Sequence, residues 1–202
     1  MQKLIKLAEK IKEEKLRKGV VEFLKDPSLT HPEFKKYPRA EIEKIKVPFT
    51  MANLGTVERD VLNHTIALVD LCIKITDTLE KNFGVKLNRD YLIAGAILHD
   101  VMKIFEWKSS KEHTGILLDH SMLGVAELYK RDFPEEVIHI VASHFGEGGS
   151  TPPRNFEALI FHYLDSLLSA FEFYFYASKR PKEEIPIIVL DKEMMKEFEK
   201  RD

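Results

Sequence analysis

The sequence has little cysteine, glycine and proline, and these shortages restrict the fold. Its 202 residues include one Cys, nine Gly and nine Pro. A single thiol, Cys72, excludes an internal disulfide and indicates a reducing compartment, so we expect a cytoplasmic protein. Few turn-forming residues argue against a fold of many short strands, and 32% charged residues favour helices instead.

Long apolar segments and an excess of one charge are also missing. The longest apolar run, residues 91–98, is far shorter than the roughly 20 residues of a membrane-spanning helix. The residues after Met1 become charged at once, so we expect neither a signal peptide nor membrane association. Lys and Arg number 31 against 33 Asp and Glu, a net charge of −2. This balance argues against a stable complex with long nucleic acid.

Hydrophobic periodicity predicts an all-α fold. Apolar residues recur at helical spacing in six segments that end at turn or capping signals. The predicted helices cover residues 2–18, 56–82, 88–98, 119–131, 134–145 and 155–178. Prolines interrupt residues 20–56, which predicts short turns and loops, with Thr56 as the N-cap of the next helix. We therefore expect an N-terminal extension (1–55) and a domain of five core helices (56–180).

The last residues are predicted to form a tail, 181–202, packed on that domain. Within it, residues 185–190 favour a short extended piece and residues 192–200 a terminal helix.

Four histidines lie where these helices are expected to be buried or to meet. His64 falls on the apolar stripe of its helix, and His99 with Asp100 ends the all-apolar helix 88–98. His120 lies in the first turn of its helix, and His144 continues the apolar stripe near the end of helix 134–145.

Asp165 lies on a polar sector of helix 155–178, which ordinarily indicates a solvent-facing side. That helix contains no Lys or Arg, although almost one residue in six of the chain is basic. We therefore interpret the sector as facing a polar interior cleft. It comprises His162, Asp165, Ser166, Ser169 and Glu172.

A metal site would explain these polar residues together. Burying Asp100 and Asp165 without a partner costs several kcal/mol each, and Lys103 is the main cation nearby in sequence. Nitrogen and oxygen ligands without thiolate suit Mn, Fe, Zn, Ni or Co. A single histidine on an apolar stripe is more often a hydrogen-bonded core residue, so residue types alone leave both interpretations open.

The order of these residues resembles the signature of the HD superfamily of metal-dependent phosphohydrolases. His64 is followed by His99-Asp100, which begins the pattern HDxxK that ends at Lys103; His120, His144 and Asp165 follow. Residues 157–165, with 143–147 before them, are especially similar to the HD hydrolase domain of bacterial exoribonucleases that degrade RNA from its 3′ end. The resemblance covers residues 57–178 and implies an HD-domain helical bundle.

The resemblance also implies a ligand set. One metal would be held by His64, His99, Asp100 and Asp165. The pair His120 and His144 matches the residues that hold a second metal in the binuclear branch, with Asp100 bridging, so we expect two ions of Mn, Fe, Ni, Co or Zn. If His120 is merely an exposed residue, or His144 a packed core residue, the site holds one metal.

The implied activity is hydrolysis of a phosphomonoester or phosphodiester by a metal-activated water, in a nucleotide or short nucleic acid. Asp100 and Lys103 would be the catalytic residues, with Lys103 contacting phosphoryl oxygens; the alternative role of Lys103 is to satisfy carbonyls at a helix end. The expected partner is a small phosphorylated substrate, and the aromatic segment 170–177 leaves a homodimer open.

Two other functions fit the same residues. Some HD relatives with the six-ligand pattern hold an iron pair that activates O₂, which suggests an HD-type diiron oxygenase. A non-catalytic helical module that binds a nucleotide as a sensor is the third hypothesis.

Overall fold

The computed structural model describes residues 1–51 and 54–179, and it confirms the predominantly helical fold. The helices are α1 (Gln2–Ala8), α2 (Glu14–Lys25), α3 (Val61–Phe83), α4 (Arg89–Leu98), α5 (Lys103–Glu106), α6 (His120–Lys130), α7 (Glu135–Ala142) and α8 (Phe156–Ser178). Two antiparallel hairpins pair β1 (Lys46–Met51) with β2 (Gly55–Asp60), and β3 (Trp107–Ser109) with β4 (Glu112–His113). The predicted tail 181–202, with its extended piece 185–190 and helix 192–200, lies outside the described residues.

The first predicted helix, 2–18, is wrong because the structure has two helices there, α1 and α2. Helix α2 also continues to Lys25, into the segment predicted to form turns and loops. The carboxylate of Asp90, in the first turn of α4, accepts hydrogen bonds from the backbone N–H groups of Lys12 and Glu13 at 3.0 and 2.8 Å. Those groups lie directly before α2, where N–H groups have no partner within the helix. A residue distant in the sequence therefore fixes the start of α2.

The proline-interrupted segment also departs from the prediction, because it contains strand β1. Thr56 is not an N-cap but lies in β2, opposite Thr50. The next helix, α3, begins five residues later, and the Asp60 side chain caps it by accepting from Asn63 N–H at 2.8 Å. The β1–β2 hairpin spans the predicted boundary between residues 55 and 56.

Helix α4 runs through the centre of the fold, as its uniformly apolar sequence predicts. Asn88 caps its start, and every residue from Leu92 to Leu98 is buried. It packs against α1, α2, α3, α7 and α8. Gly95 permits close approach of α7, since a Cβ at this position would lie 2.4 Å from Ile140 Cγ2. This packing places the end of α4, where His99 and Asp100 follow, at the centre of the molecule.

Several other helix boundaries agree with the sequence prediction. Asp119 and Asn155 cap α6 and α8 with side-chain oxygens. Gly84 ends α3 in the left-handed conformation, with φ of 66°. The end of α7 is an exception, because this helix ends at Ala142, three residues before its predicted end. No helix in the described ranges is long and apolar enough to cross a bilayer.

Candidate metal centre

The six ligand-type residues come from segments distant in the chain and meet in the interior. The ring of His99 lies 5.6 Å, centroid to centroid, from the rings of both His64 and His144. The ring of His120 lies 5.4 Å from that of His144. Five of the six residues are buried, and the side chain of Asp165 is 14% exposed. Helices α3, α4, α6, α7 and α8 each contribute, either from within the helix or from the residues directly after it.

Two groups of ligand atoms share Asp100. The first consists of His64, His99 and Asp100, and the second of Asp100, His120 and His144. Within each group, one ligand atom from every residue lies within 4.8 Å of the others. Asp165 adjoins the first group, because its Oδ1 lies 3.0 Å from His64 Nε2. Each group could therefore hold a metal ion, and Asp100 belongs to both groups.

Backbone carbonyls orient two of the imidazoles. Nδ1 of His99 lies 2.9 Å from the carbonyl oxygen of Ala96, and Nδ1 of His144 lies 2.7 Å from that of Val141. A carbonyl oxygen only accepts, so Nδ1 carries the proton and donates it. Nε2 of each ring then presents its lone pair, as a metal ligand requires.

Carboxylates orient the other two imidazoles. Nδ1 of His64 lies 3.0 Å from Glu172 Oε2, and Nδ1 of His120 lies 3.1 Å from Glu106 Oε2. Outer carboxylates of this kind fix the ring and strengthen the opposite nitrogen as a ligand. Each of the four imidazoles is therefore held through its Nδ1, on the side of the ring that faces away from the centre of the cluster.

The inner nitrogens support a metal site directly. Nε2 of His99 is buried and has no hydrogen-bond partner among the residues the structure describes. Nε2 of His64 and Nε2 of His120 each face a ligand carboxylate, Asp165 Oδ1 at 3.0 Å and Asp100 Oδ1 at 3.2 Å. Buried ring nitrogens without partners are costly and rare in folded proteins. Because imidazole nitrogens and carboxylate oxygens are together the donor set of a divalent transition metal, these residues fit such an ion.

The carboxylates at the centre are held in the charged form. Burial alone would raise the pKa of Asp100, but neighbouring His99, Lys103 and His120 hold that pKa well below its ordinary value. The pKa of Asp165 is likewise lowered, because the hydrogen bond from His64 outweighs burial. Two ionised carboxylates therefore lie close together in the interior.

The histidines fall into two pairs. Burial lowers the pKa of His99 to about 3 and that of His144 to about 4, so both imidazoles are neutral. The pKa values of His64 and His120 are raised, because their carboxylate neighbours outweigh burial. Each of these two rings lies between two carboxylates, so a proton and a metal cation would compete for its inner nitrogen, Nε2.

Lys103 contacts a ligand carboxylate rather than the helix-end carbonyls of the alternative prediction. Its Nζ lies 2.7 Å from Asp100 Oδ2. It also lines a cavity of about 280 Å³ beside the cluster, together with Asp100, His144 and Asp165. Larger surface cavities lie elsewhere, for example one of about 590 Å³ beside α4, but that cavity contains none of the six predicted ligands.

The polar sector of α8 faces this cavity, as the lack of basic residues in α8 predicts. His162, Ser166 and Ser169 line the cavity beside Asp165. His162 is not among the clustered imidazoles, because its Nδ1 lies 2.8 Å from the backbone carbonyl oxygen of His144. It therefore positions the segment that carries His144.

Two charged residues near the centre were not singled out in the sequence at all. Glu106 accepts from both the backbone N–H and the ring of His120. The sequence contains a local signal for Glu106, since it is a lone acidic residue between two aromatic residues, Phe105 and Trp107. Arg59, in β2, lines the cavity and is 6% exposed, but no sequence spacing connects it to the HDxxK pattern.

Comparison with known proteins agrees with this geometry. The family model for the HD domain matches residues 61–192. The chain is 46% identical over 170 residues to dihydroneopterin 2′,3′-cyclic phosphate phosphodiesterase of Methanocaldococcus jannaschii, covering 82% of this chain and 67% of that protein.

It is 31% identical over 162 residues to the 3′-5′ exoribonuclease YhaM of Bacillus licheniformis, covering 71% of this chain and 49% of the relative. To YhaM of Bacillus subtilis it is 33% identical over 142 residues, covering 63% of this chain and 44% of that protein. No solved structure matches the chain. From the match over residues 61–192 and these similarities, the chain belongs to the HD domain family of metal-dependent phosphohydrolases.

Proposed function

We propose that this protein is a metal-dependent phosphodiesterase whose substrate is a small nucleotide-like phosphodiester, with a 2′,3′-cyclic phosphate as the favoured class. The observation that carries the proposal is the cluster of four outward-anchored histidines around Asp100. The 46% identity to a cyclic phosphate phosphodiesterase supports the choice of a diester. Family membership supports the class of chemistry.

The proposed site holds two divalent ions. His64, His99, Asp100 and Asp165 would bind the first. Asp100 would bridge to a second ion held by His120 and His144, as the shared position of Asp100 in both ligand groups supports. When bound, such ions lower the pKa of water and offset negative charge on phosphoryl oxygens.

The chain's own residues would orient the reactants. Lys103 holds Asp100 in place through its 2.7 Å ion pair. Its ammonium group also lines the cavity, where it would contact a phosphoryl oxygen. Glu106 and Glu172 keep two imidazoles in the ligating orientation. Phe161 packs edge-on against His99 at 5.2 Å between ring centroids and excludes water from that side.

The size of the cavity favours a small substrate. Its volume of about 280 Å³ is slightly below that of ordinary ligand pockets, which span roughly 300–1,000 Å³. A nucleoside or pterin cyclic phosphate could place its phosphate there. The net charge of −2 gives no broad attraction to a long polyanion.

A metal count combined with a substrate panel tests the proposal. We would purify the protein without chelator, count Mn, Fe, Ni, Co and Zn by mass spectrometry, and assay 2′,3′-cyclic AMP, bis(p-nitrophenyl) phosphate, p-nitrophenyl phosphate and a short RNA. We expect about two ions per chain and preferred turnover of a diester. Asp100→Asn should abolish turnover, whereas the control Asp70→Asn, on the exposed side of α3, should not.

The same experiment separates the other hypotheses. Absence of hydrolysis with every metal would overturn the proposal. Iron-dependent O₂ consumption would identify an oxygenase, and nucleotide binding without turnover would identify a sensor. Cleavage of the short RNA in preference to the small diesters would contradict the proposed substrate class.

A homodimer is also proposed, through the outer face of α8. Five of its large side chains are exposed by 58–64%: Phe156, Tyr163, Leu167, Phe171 and Tyr174. A second copy of the chain suits this face because α8 contains no Lys or Arg, so two copies can pair without burying a cation. Light scattering should give a dimer mass that Leu167→Glu reduces to a monomer; a monomeric parent protein would contradict the proposal.

The cytoplasmic location remains a prediction from the single cysteine.

A further inference from the structure

Arg59 is a buried cation on the wall of the cavity beside the metal ligands. It belongs to strand β2, five residues before His64, and it is 6% exposed. Its guanidinium carbon lies 4.6 Å from the ring centroid of Phe49, on the paired strand β1. The cavity that Arg59 lines is also lined by Asp100, Lys103 and Asp165. The hairpin therefore supplies a positive charge to a site whose predicted ligands all lie on or next to helices.

The guanidinium of Arg59 uses few of its hydrogen-bond donors. Nη1 donates to Ser169 Oγ at 2.7 Å, and within residues 1–51 and 54–179 the buried Nε has no partner. The nearest carboxylate oxygen in an ion pair, Glu172 Oε2, lies 3.9 Å away and already accepts from His64. Guanidinium has five N–H donors in a planar fork, and a buried arginine is usually matched by a bidentate anion.

We propose that Arg59 binds the non-bridging oxygens of the substrate's phosphoryl group in the cavity that Lys103 also lines. The identity of the substrate rests on the proposed function. The binding of a phosphate group by Arg59 does not depend on which ester carries that group. The two carboxylates of the cavity, Asp100 and Asp165, are already engaged by Lys103 and His64. An incoming phosphate would supply the acceptors that the Arg59 fork lacks.

A positioning role is the competing explanation. Arg59 donates to Ser169, and Ser169 Oγ donates to Asp165 Oδ1 at 3.3 Å, so the arginine also reaches a metal ligand through one hydroxyl. If that chain is its whole purpose, removing the hydroxyl should reproduce the loss of the guanidinium. Phosphate affinity and metal content, measured separately, distinguish the two roles.

Inorganic phosphate is the probe, because its binding can be measured without turnover. We would titrate it calorimetrically into the metal-loaded full chain and into the variants Arg59→Gln, Arg59→Lys and Ser169→Ala. Exposed Arg39→Gln is the matched control for loss of an arginine. Metal content is counted for each protein, and circular dichroism reports whether each is folded.

Arg59→Gln should weaken phosphate binding by about tenfold to hundredfold, the range for a lost hydrogen bond to a charged group. Metal content should stay unchanged. Ser169→Ala and Arg39→Gln should keep phosphate affinity within about threefold. Arg59→Lys retains the positive charge over Phe49 and is the variant to use if Arg59→Gln does not fold. Because lysine lacks the planar N–H donors of guanidinium, Arg59→Lys should still weaken phosphate binding about tenfold.

Unchanged phosphate affinity in the folded Arg59 variants would overturn the inference. The inference would also be overturned if Ser169→Ala and Arg59→Gln lost phosphate affinity, or metal, to the same extent. That result would show that Arg59 only positions Asp165 through Ser169. A protein that binds phosphate through Arg59 but hydrolyses no ester would refute the proposed function alone.

Discussion

Replacing Gly95 by alanine tests the packing that brings two ligand-bearing segments together. Gly95 lies in α4, four residues before His99, and faces Ile140 of α7, which ends two residues before His144. A Cβ at Gly95 would lie 2.4 Å from Ile140 Cγ2 and 3.0 Å from Ile140 Cβ. Because both atoms are close to the backbone of α7, side-chain rotation cannot make enough room. The two helices would have to separate.

Two opposing terms set the size of the effect. Alanine is more favourable than glycine in a helix interior by about 1 kcal/mol, whereas an added methyl in a packed core costs about 1–3 kcal/mol. A carbon–carbon distance of 2.4 Å is so far below the optimum of about 3.5–4.0 Å that the cost belongs at the upper end. We expect Gly95→Ala to lower the free energy of unfolding by about 2 kcal/mol.

The same substitution at Gly19 provides a control of opposite sign. Gly19 lies inside α2, and a Cβ there would lie 3.5 Å from the nearest ring carbon of Phe133, an ordinary contact. Only the helix-propensity term then remains, so Gly19→Ala should raise the free energy of unfolding by about 0.5–1 kcal/mol. In a chain of this size, 1 kcal/mol corresponds to about 2–4 °C in melting temperature.

Urea unfolding followed by circular dichroism measures both changes, and metal content shows whether the centre follows the helices. Ile140→Ala alone should cost about 2–5 kcal/mol. Combined with Gly95→Ala, it should cost less than the sum by about 2 kcal/mol, since the methyl then has space. Additivity within about 0.5 kcal/mol, or a Gly95→Ala protein as stable as the parent, would refute the steric argument.

Two further substitutions and one labelling experiment test the site and the helices around it. Glu106→Gln should weaken metal binding about 10–100-fold, measured by competition with a chelator; Glu112→Gln, on an exposed strand, should not. Asn88→Ala removes the cap of α4 and should lower the free energy of unfolding by about 1 kcal/mol, while retained stability in urea would contradict the cap's contribution. Burial raises the pKa of Cys72 to about 12, so a disulfide reagent at pH 8 should label it only after denaturation; rapid labelling of the folded protein would contradict its burial.

The helices and most of the centre could be predicted because their signals are local. Asn88 and Asn155 are capping residues followed by apolar repeats, and the structure has caps at both positions. Likewise, the lack of basic residues in α8 indicated that Asp165 faces a cleft. Polar groups inside apolar repeats are conspicuous in a sequence, since burial without partners would be expensive.

The hairpin was missed because its signals are weak and nonlocal. Val57 is buried in β2, but it is also at helical spacing from Val61, so the apolar pattern favoured starting the helix early. Pro48 in β1 further discouraged a strand. What stabilises the hairpin is pairing between two short segments and packing on α8, which no window of one segment contains.

This nonlocal packing joins the N-terminal segment to the site. A division between residues 55 and 56 separates β1 from β2, and with it Phe49 from Arg59, although their cation–π contact lies at the wall of the cavity. Leu4 of α1 and Phe23 of α2 also belong to the same buried cluster as Leu92 of α4. Because that cluster surrounds the helix that leads to His99, residues well before the family signature help to fix the position of its ligands. We infer that both segments fold as one unit.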